Sequence, residues 1–233
     1  PSWNGAKLVA AALERLALTE GVRFEAVVVD HGRVSRETEE ACRKFPFARY
    51  IGVHEQLGYA GAVNRGVEEA ACSLVAPICN DVLVERGWLR ELLDAHGAAK
   101  ARGESPVLFS LADHGRLSDL RPTRTNFWFR LIHGGGEPGR ERFFLPDGSA
   151  FLFDREVHGL PFDSEYFLYH EDVYFGWRTW LVGEEVRMVP SSRVSNVDGG
   201  TTSRLPYQRA FFLERNRWLN YFTFLSLGTL LRA

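Results

Sequence analysis

The sequence predicts an α/β fold, a mixed and mainly parallel sheet flanked by helices. Two observations carry that expectation. Short β-branched runs alternate with longer helical stretches through the first half of the chain, which is the pattern of βαβ units. Two of those runs lead into an acid, Asp30 and Asp81, and open α/β sheets bind ligands at the carboxyl ends of their strands.

The elements follow in order. Lys7 to Leu18 places Leu8, Ala11, Ala12, Leu16 and Leu18 on one helical stripe, and Gly21 breaks it. Phe24 to Val29 reads as a buried strand ending at Asp30. A polar helix is expected from Ser35 to Lys44, a strand over Tyr50 to Val53, a helix over Ala60 to Cys72 and an apolar strand over Leu74 to Ile78. Trp88 to Ala99 gives a further helix and Pro106 to Leu111 a further strand. From Asp113 to Arg142 the chain turns rich in Arg, Gly and polar residues, with Gly134-Gly135-Gly136, and reads as a long excursion in which only Asn126 to Ile132 is strand-like. Order returns with Phe143 to Leu145, Ala150 to Phe153, a helix over Glu171 to Leu181, and short strands at Val186 to Val189 and Arg193 to Val194. The aromatic tail from Pro206 reads as helical. The expected organisation is one domain over 1–205 and a helical tail over 206–233.

Composition narrows the function. At 233 residues, 45% hydrophobic and 25% charged, the chain can bury a sizeable core and is neither disordered nor fibrous. A net charge of -2 argues against a nucleic-acid partner, whose footprint is a strongly basic domain. Cys42, Cys72 and Cys79 contain no Cys-x-x-Cys pair, so neither a disulfide framework nor a zinc site is expected, and a reducing cytoplasm fits. Pro1 to Gly5 carries no secretory pattern, and the apolar stretch Tyr221 to Leu231 is shorter than the roughly 20 residues that span a bilayer.

Four constellations can carry chemistry. In Val27-Val28-Val29-Asp30-His31-Gly32 the strand-end carboxylate either accepts hydrogen bonds from the polar edge of a nucleobase or caps the next helix. Gln56 to Gly66 opens a helix with three glycines, a segment that can bring backbone N–H groups to a phosphate; Val67 and Glu68 stand where a P-loop needs Lys and Ser or Thr. Cys79-Asn80-Asp81 either holds a divalent cation through Asp81 or forms an ordinary turn. Glu171 and Asp172, after His170, either suit the helix dipole or place Asp172 as a general base.

In order and spacing these segments resemble the family 2 glycosyltransferases, inverting nucleotide-sugar enzymes of the Rossmann-like GT-A fold, and within them the rhamnosyl- or galactofuranosyl-transferase-like branch. Val27 to Gly32 is similar to the family's Val-Val-Asp-Asn-Gly turn. Gln56 to Gly66 is similar to its Asn-Leu-Gly-Phe-Ala-Gly-Gly-x-Asn-x-Gly segment, and Cys79 to Asp81 to its Asn-x-Asp or Asp-x-Asp metal motif. Gly148-Ser149-Ala150 with Arg155, Phe162-Asp163 and Glu171 to Arg178 resemble the acceptor-side run; Val189-Pro190 and Val194 to Thr202 resemble the closing motif.

The resemblance implies a donor half over about 1–112 and an acceptor half over about 143–205. It implies a nucleoside diphosphate sugar held by Trp3 at the base, Asp30 on the base's polar edge, Gly58, Gly61 and Asn64 around the donor pocket, and Asn80 and Asp81 at the sugar or a metal. Asp172 is the implied base toward an acceptor hydroxyl of a saccharide or lipid-linked saccharide in cell-surface glycan synthesis. Gly148, Ser149 and Glu171 lie on the acceptor side, and Arg178 braces them. The implied cofactor is a divalent cation, Mg²⁺ or Mn²⁺, held by Asp81. Cys79, a soft ligand, replaces the first residue of the metal motif, and Asn196 replaces a closing His. Those two changes also admit a non-catalytic nucleotide-sugar-binding scaffold. Members begin with a hydrophobic strand leading into a Ser-Tyr-Asn-like segment; Pro1-Ser2-Trp3-Asn4-Gly5 is already that segment, so a first central strand is missing from this sequence and an apolar slot is expected.

Residues 204–233 carry a net charge of +4 interleaved with aromatic residues. This tail is expected either to lie on an anionic membrane surface at the inner face, or to pack on its own domain or on a second subunit.

Overall fold

The computed structural model describes residues 1–113, 123–125, 131–133, 142–144, 146, 148–197 and 206–230. Helix α1 (Ala6–Leu16) buries Val9, Ala12, Leu13 and Leu16, spaced to form one apolar stripe. Gly21, at a φ of +76°, turns the chain toward β1 (Ala26–His31). Helix α2 (Arg36–Arg43) starts where the Ser35 hydroxyl accepts the Thr38 amide at 3.3 Å, and returns the chain to β2 (Ala48–Val53), parallel to β1. Then come α3 (Gly58–Glu69), β3 (Leu74–Val75), β4 (Val82–Val84), α4 (Trp88–Lys100) and β5 (Val107–Asp113).

The second half begins with β6 (Thr123–Thr125) and β7 (Leu131–His133), which pair antiparallel, and β8 (Arg142–Phe143). Strand β9 (Phe151–Asp154) runs into α5 (Arg155–His158) and a 3-10 turn over Ser164–Tyr166. Helix α6 (Glu171–Leu181), β10 (Val186–Asn196), α7 (Pro206–Phe224) and α8 (Leu227–Leu230) complete the order. The remainder of the expected 113–142 excursion, Leu145, and Asp198 to Thr202 of the closing motif lie outside the described residues.

The expected α/β class with flanking helices is present, with a mixed sheet ordered β3-β9-β5-β10-β4 and β8 also on β10. Among the described strands, parallel pairing is confined to β1–β2 and β5–β10. Strand β9 arrives without a helical crossover and pairs antiparallel with both β3 and β5. The two short strands expected at 186–194 are one strand. Its register on β5 jumps between Val189 and Arg193, so Pro190, which has no N–H to give the ladder, sits in an irregularity. The buried Ser192 hydroxyl there donates to the Trp88 carbonyl at 2.8 Å and lies 2.8 Å from the Ser110 hydroxyl.

Strands β1 and β2 form their own two-stranded sheet. Between β1 and residues 73–80 runs an apolar cleft of about 450 Å³. This cleft stands beside β1, where an apolar slot was expected. Its upper end is closed by Ser2, whose amide donates to the Val29 carbonyl at 2.7 Å and whose carbonyl accepts the His31 amide at 3.0 Å.

Two apolar clusters stabilise the fold. One joins α1 and α4 to the sheet through Leu13, Leu92 and Leu152; the other lies under α3 and α6. In the second, Phe175 of α6 is fully buried, with ring centroids of Phe151, Phe153 and Phe162 at 5.8, 5.3 and 6.0 Å. Among the described residues no helix is long and apolar enough to cross a membrane. Phe175→Ala is expected to cost about 3–5 kcal/mol, because the aromatic cage around the ring cannot collapse onto a methyl group; urea unfolding measures it.

Candidate functional site

The carboxyl end of β1 is the first wall of the site. Asp30 is fully buried; one carboxylate oxygen accepts the Ser35 amide at 2.9 Å and the Tyr50 hydroxyl at 3.2 Å, while the other, Oδ1, has no partner. Both sequence readings therefore meet in one side chain: half of it organises the entry to α2, and half is an unspent acceptor. Gly32 has a φ of +79°, and a side chain there would collide with Gln56 and touch Trp3. That places Trp3 over the Asp30 turn. His31 is held below the usual histidine range chiefly by desolvation, which keeps its imidazole neutral.

The second wall is the turn after β3. Gly5 packs so closely on the Asn80 side chain that any larger residue would displace it, which ties the Trp3 segment to Cys79-Asn80-Asp81. Desolvation raises the Asp81 carboxyl above its ordinary range, so a positive partner would relieve it. Strand β10 sets Asn196 opposite Val82, and the Val197 amide donates to the Asp81 carbonyl at 2.8 Å. The Asn196 Oδ1 is buried with no partner.

Tyr59 connects these walls to the acceptor side. Its hydroxyl donates to the Gly148 carbonyl at 2.9 Å, and the Cys79 thiol reaches the same carbonyl at 3.5 Å. The Cys79 amide donates to the Ser149 carbonyl at 3.1 Å. Desolvation first, then the charges of Cys79, Glu171 and Asp172, push the Tyr59 phenol well above its usual range. Tyr59 and Cys79 thus share the Gly148 carbonyl, within reach of the charges of Glu171 and Asp172. Sequence reasoning passed over Tyr59; an aromatic hydroxyl inside a glycine-rich segment was the signal.

The loop before α6 is built on unusual backbone. Phe167, Tyr169 and His170 have φ of 60°, 68° and 64°, left-handed values that cost non-glycine residues about 1–3 kcal/mol each. Gly58, itself at +67°, comes so near the Phe167 backbone and ring that no side chain fits between them, and the Ala60 amide donates to the Phe167 carbonyl at 3.2 Å. From the other side Asn216 of α7, fully buried, directs its amide Nδ2 at the carbonyls of Tyr166, Leu168 and Tyr169 at 2.7, 2.8 and 2.6 Å. Arg215 also donates to the Tyr166 carbonyl at 3.0 Å and holds the Asn216 Oδ1 at 2.9 Å. These clamps present Glu171 and Asp172 at the start of α6. The tail expected over 206–233 is, in α7, part of the site's frame. Asn216 carried no motif signal.

Other expected residues have defined places. Asn64 spends both polar ends on Phe162, donating to its carbonyl at 2.7 Å and accepting its amide at 3.2 Å. Gly61 lies against the Leu57 side chain. Arg178 ties the chain after α5, donating to the His158 and Leu160 carbonyls at 2.7 Å each, with its guanidinium 5.5 Å from the Tyr174 ring centroid.

Glu171 is 8% exposed and its Oε2 has no partner. Desolvation, then the neighbouring Asp172 charge, pushes its pKa up to about 8, so it is a neutral acid at pH 7. The adjacent His170 is held down to about 4, mostly by desolvation and then by Arg217. As for the implied cation, among the described residues no three His, Cys, Asp or Glu side chains gather around one point. The strand edge offers the Asp81 carboxylate and the orphaned Asn196 oxygen, a set that fits a hard cation only when a diphosphate and water complete its shell.

Two outcomes are expected. Asn216→Ala strands carbonyls of the left-handed loop, costing about 1–3 kcal/mol and hastening amide exchange in 166–172 while β1 is unchanged; exchange mass spectrometry checks it. Glu171 is protonated more readily folded than unfolded, so its contribution to stability is complete below its ordinary pKa and falls as pH rises toward about 8. Chemical unfolding at stepped pH should show that decline, and Glu171→Gln should flatten it.

Solved structures of three glycosyltransferases share this fold. GalNAc-T7, crystallised with UDP, GalNAc and Mn²⁺, superposes with a TM-score of 0.60 at 15% identity, over 75% of this chain and 38% of its own. TarS of S. aureus gives 0.61 at 17%, over 84% and 35%. The mannosyltransferase PcManGT from Pyrobaculum calidifontis, in complex with GDP-Man and Mn²⁺, gives 0.62 at 18%, over 88% and 57%. This chain spans between about a third and three fifths of those proteins. No curated sequence matches it. The glycosyl transferase family 2 pattern, however, matches residues 1–155, two thirds of the chain and both strand-end acids. The chain belongs to glycosyl transferase family 2.

Proposed function

We propose that this protein transfers a sugar from a nucleoside diphosphate donor to a hydroxyl of a saccharide or lipid-linked saccharide, with inversion, in cell-surface glycan synthesis. The observation that carries the reading is the Gly148 carbonyl held by both the Tyr59 hydroxyl and the Cys79 thiol, which joins the Cys79-Asn80-Asp81 turn to the acceptor-side run, with the charges of Glu171 and Asp172 felt at the same phenol. The known members of the fold, crystallised with UDP or GDP-Man, support a nucleotide-sugar donor. The acceptor-side run from Gly148 to Arg178 supports the rhamnosyl- or galactofuranosyl-transferase-like branch.

In this mechanism Trp3 covers the base and the free Asp30 oxygen accepts from its polar edge. Asn80, with Gly58, Gly61 and Asn64 shaping α3, bounds the donor. Asp81 and Asn196 would hold a divalent cation, which would supply positive charge to the departing diphosphate. Asp172 takes the proton of the acceptor hydroxyl as its oxygen attacks the anomeric carbon, opposite the departing diphosphate. Glu171, neutral and desolvated beside it, leaves Asp172 as the charged member of the pair. Tyr207, Phe211, Trp218 and Phe222 are exposed along α7, which supports a peripheral contact with the inner membrane face or with a second copy. No transmembrane segment among the described residues is consistent with action from the cytoplasm.

Calorimetric titration with UDP-, GDP- and dTDP-sugars, each with Mn²⁺ and again with chelator, tests the donor site. One donor is expected to bind, more tightly with Mn²⁺. Asp172→Asn should keep that affinity and lower turnover by about 10²–10⁴. Binding without turnover in the unaltered chain would favour the scaffold reading motivated by Cys79, and binding of no donor would sink both.

A further inference from the structure

Helix α7 has two opposed faces. Tyr207, Phe211, Trp218 and Phe222 follow one another at intervals of four, seven and four residues, which puts them within about 60° of one line along the helix. They are 87, 60, 51 and 70% exposed, and among the described residues their ring contacts all lie within α7 itself. The other side carries Asn216 and Asn220, both fully buried. Asn216 holds three carbonyls of the loop before α6, and the Asn220 Oδ1 accepts the Tyr166 hydroxyl at 2.8 Å. Phe212 stacks on Phe167 of that loop with ring centroids 4.9 Å apart, and the Arg209 guanidinium lies 5.8 Å from the Tyr169 ring centroid.

Composition, charge and size choose between the partners such a ridge could meet. Trp, Tyr and Phe along one line of a helix, with Arg215 and Arg217 on its flanks, suit a helix lying in the headgroup layer of a bilayer. Residues 204–233 carry a net charge of +4. A twofold contact sets the same surface on both partners, so two such tails would meet like against like, whereas an anionic leaflet meets the tail with opposite charge. The exposed parts of the four rings amount to on the order of 500 Å². That is short of the roughly 800 Å² per partner that a stable dimer buries. Glu214, the acid in line with the ridge, is already held by Arg217.

We propose that α7 is a strap: its outer aromatic ridge docks on an anionic lipid surface, and docking tightens the hold of its inner face on the Phe167–His170 loop. The link is thermodynamic. A helix of 19 residues is marginal on its own, so the four rings form one line only while α7 is held against the loop and, through Phe224 stacked on Trp177, against α6. A surface that binds the aligned rings favours the docked helix over the undocked one and stabilises whatever docking holds. The inference deepens the transferase reading and rests on it only for the role of Asp172. The loop that is tightened presents that carboxylate, so the surface carrying a lipid-linked acceptor is also the one that firms the site.

The test uses residues 1–233 with vesicles of phosphatidylcholine, alone or mixed with an equal part of phosphatidylglycerol. The chain is expected to float with the anionic vesicles, and the combined Phe211→Ser, Trp218→Ser and Phe222→Ser variant, altered only at exposed positions, to bind them at least about tenfold more weakly. With lipid at about ten times its half-binding concentration, amide exchange across 166–172 is expected to slow about tenfold while β1 is unchanged. Asn216→Ala is expected to float as well and to lose the slowing. No flotation, or equal flotation on uncharged vesicles, would overturn the docking. Flotation with unchanged exchange across 166–172, or slowing that survives Asn216→Ala, would overturn the coupling. A concentration-dependent dimer in sedimentation that the serine variant abolishes would overturn the proposal by assigning the ridge to a second copy. None of these readouts uses a donor or turnover, so their failure is distinct from failure of the donor titration.

Discussion

The loop from Phe167 to His170 is the constraint on which the start of α6 depends. Three of its four residues sit in left-handed backbone that none of them favours, so the loop persists only because its surroundings leave it no alternative. Gly58 supplies the close approach from below and Asn216 the hydrogen bonds from above. The two clamps belong to distant parts of the chain, one at the start of α3 and one within α7. Glu171 and Asp172 inherit their position from both, which couples α3 to α7 through a single turn of backbone.

Electrostatics at that position are set by burial more than by pairing. Glu171 is raised and His170 lowered, both chiefly by desolvation, so two potential charges are suppressed next to Asp172. The same force acts on Asp81 and His31 on the opposite walls. A pocket that withholds water from its own ionisable groups is prepared for a charged ligand, because each suppressed group is a favourable contact awaiting its counterpart.

Much of this was legible in the sequence. The alternation from Lys7 to Leu111 located the helices of the first half and strands β1, β2 and β5 within a few residues, but it missed β4 and made β3 too long, because three residues against β10 and two against β9 leave no period to read. Asp30, Asp81 and the Glu171-Asp172 pair each had an ordinary structural reading as cap, turn or dipole partner, and stood out only through the order and spacing of the segments that carry them. What stayed hidden arises from tertiary contact. Asn216 is one amide in an aromatic helix, and no local pattern reveals that three carbonyls 47 to 50 positions earlier converge on it. Two short strands were expected over 186–194, where the fold keeps one by absorbing Pro190 in an irregularity. Tyr59 was passed over because its partner, the Gly148 carbonyl, lies 89 positions on.

The dependence of the Asp172 loop on Asn216 also orders events during synthesis. Domains form from the amino end as the chain emerges, and the β1–β2 pair with its helices can assemble early. The residue that fastens the loop emerges more than forty positions after Asp172 itself. A nascent chain can therefore hold a formed β1–β2 pair while the turn before α6 is still unfastened, and that turn is completed only when α7 docks.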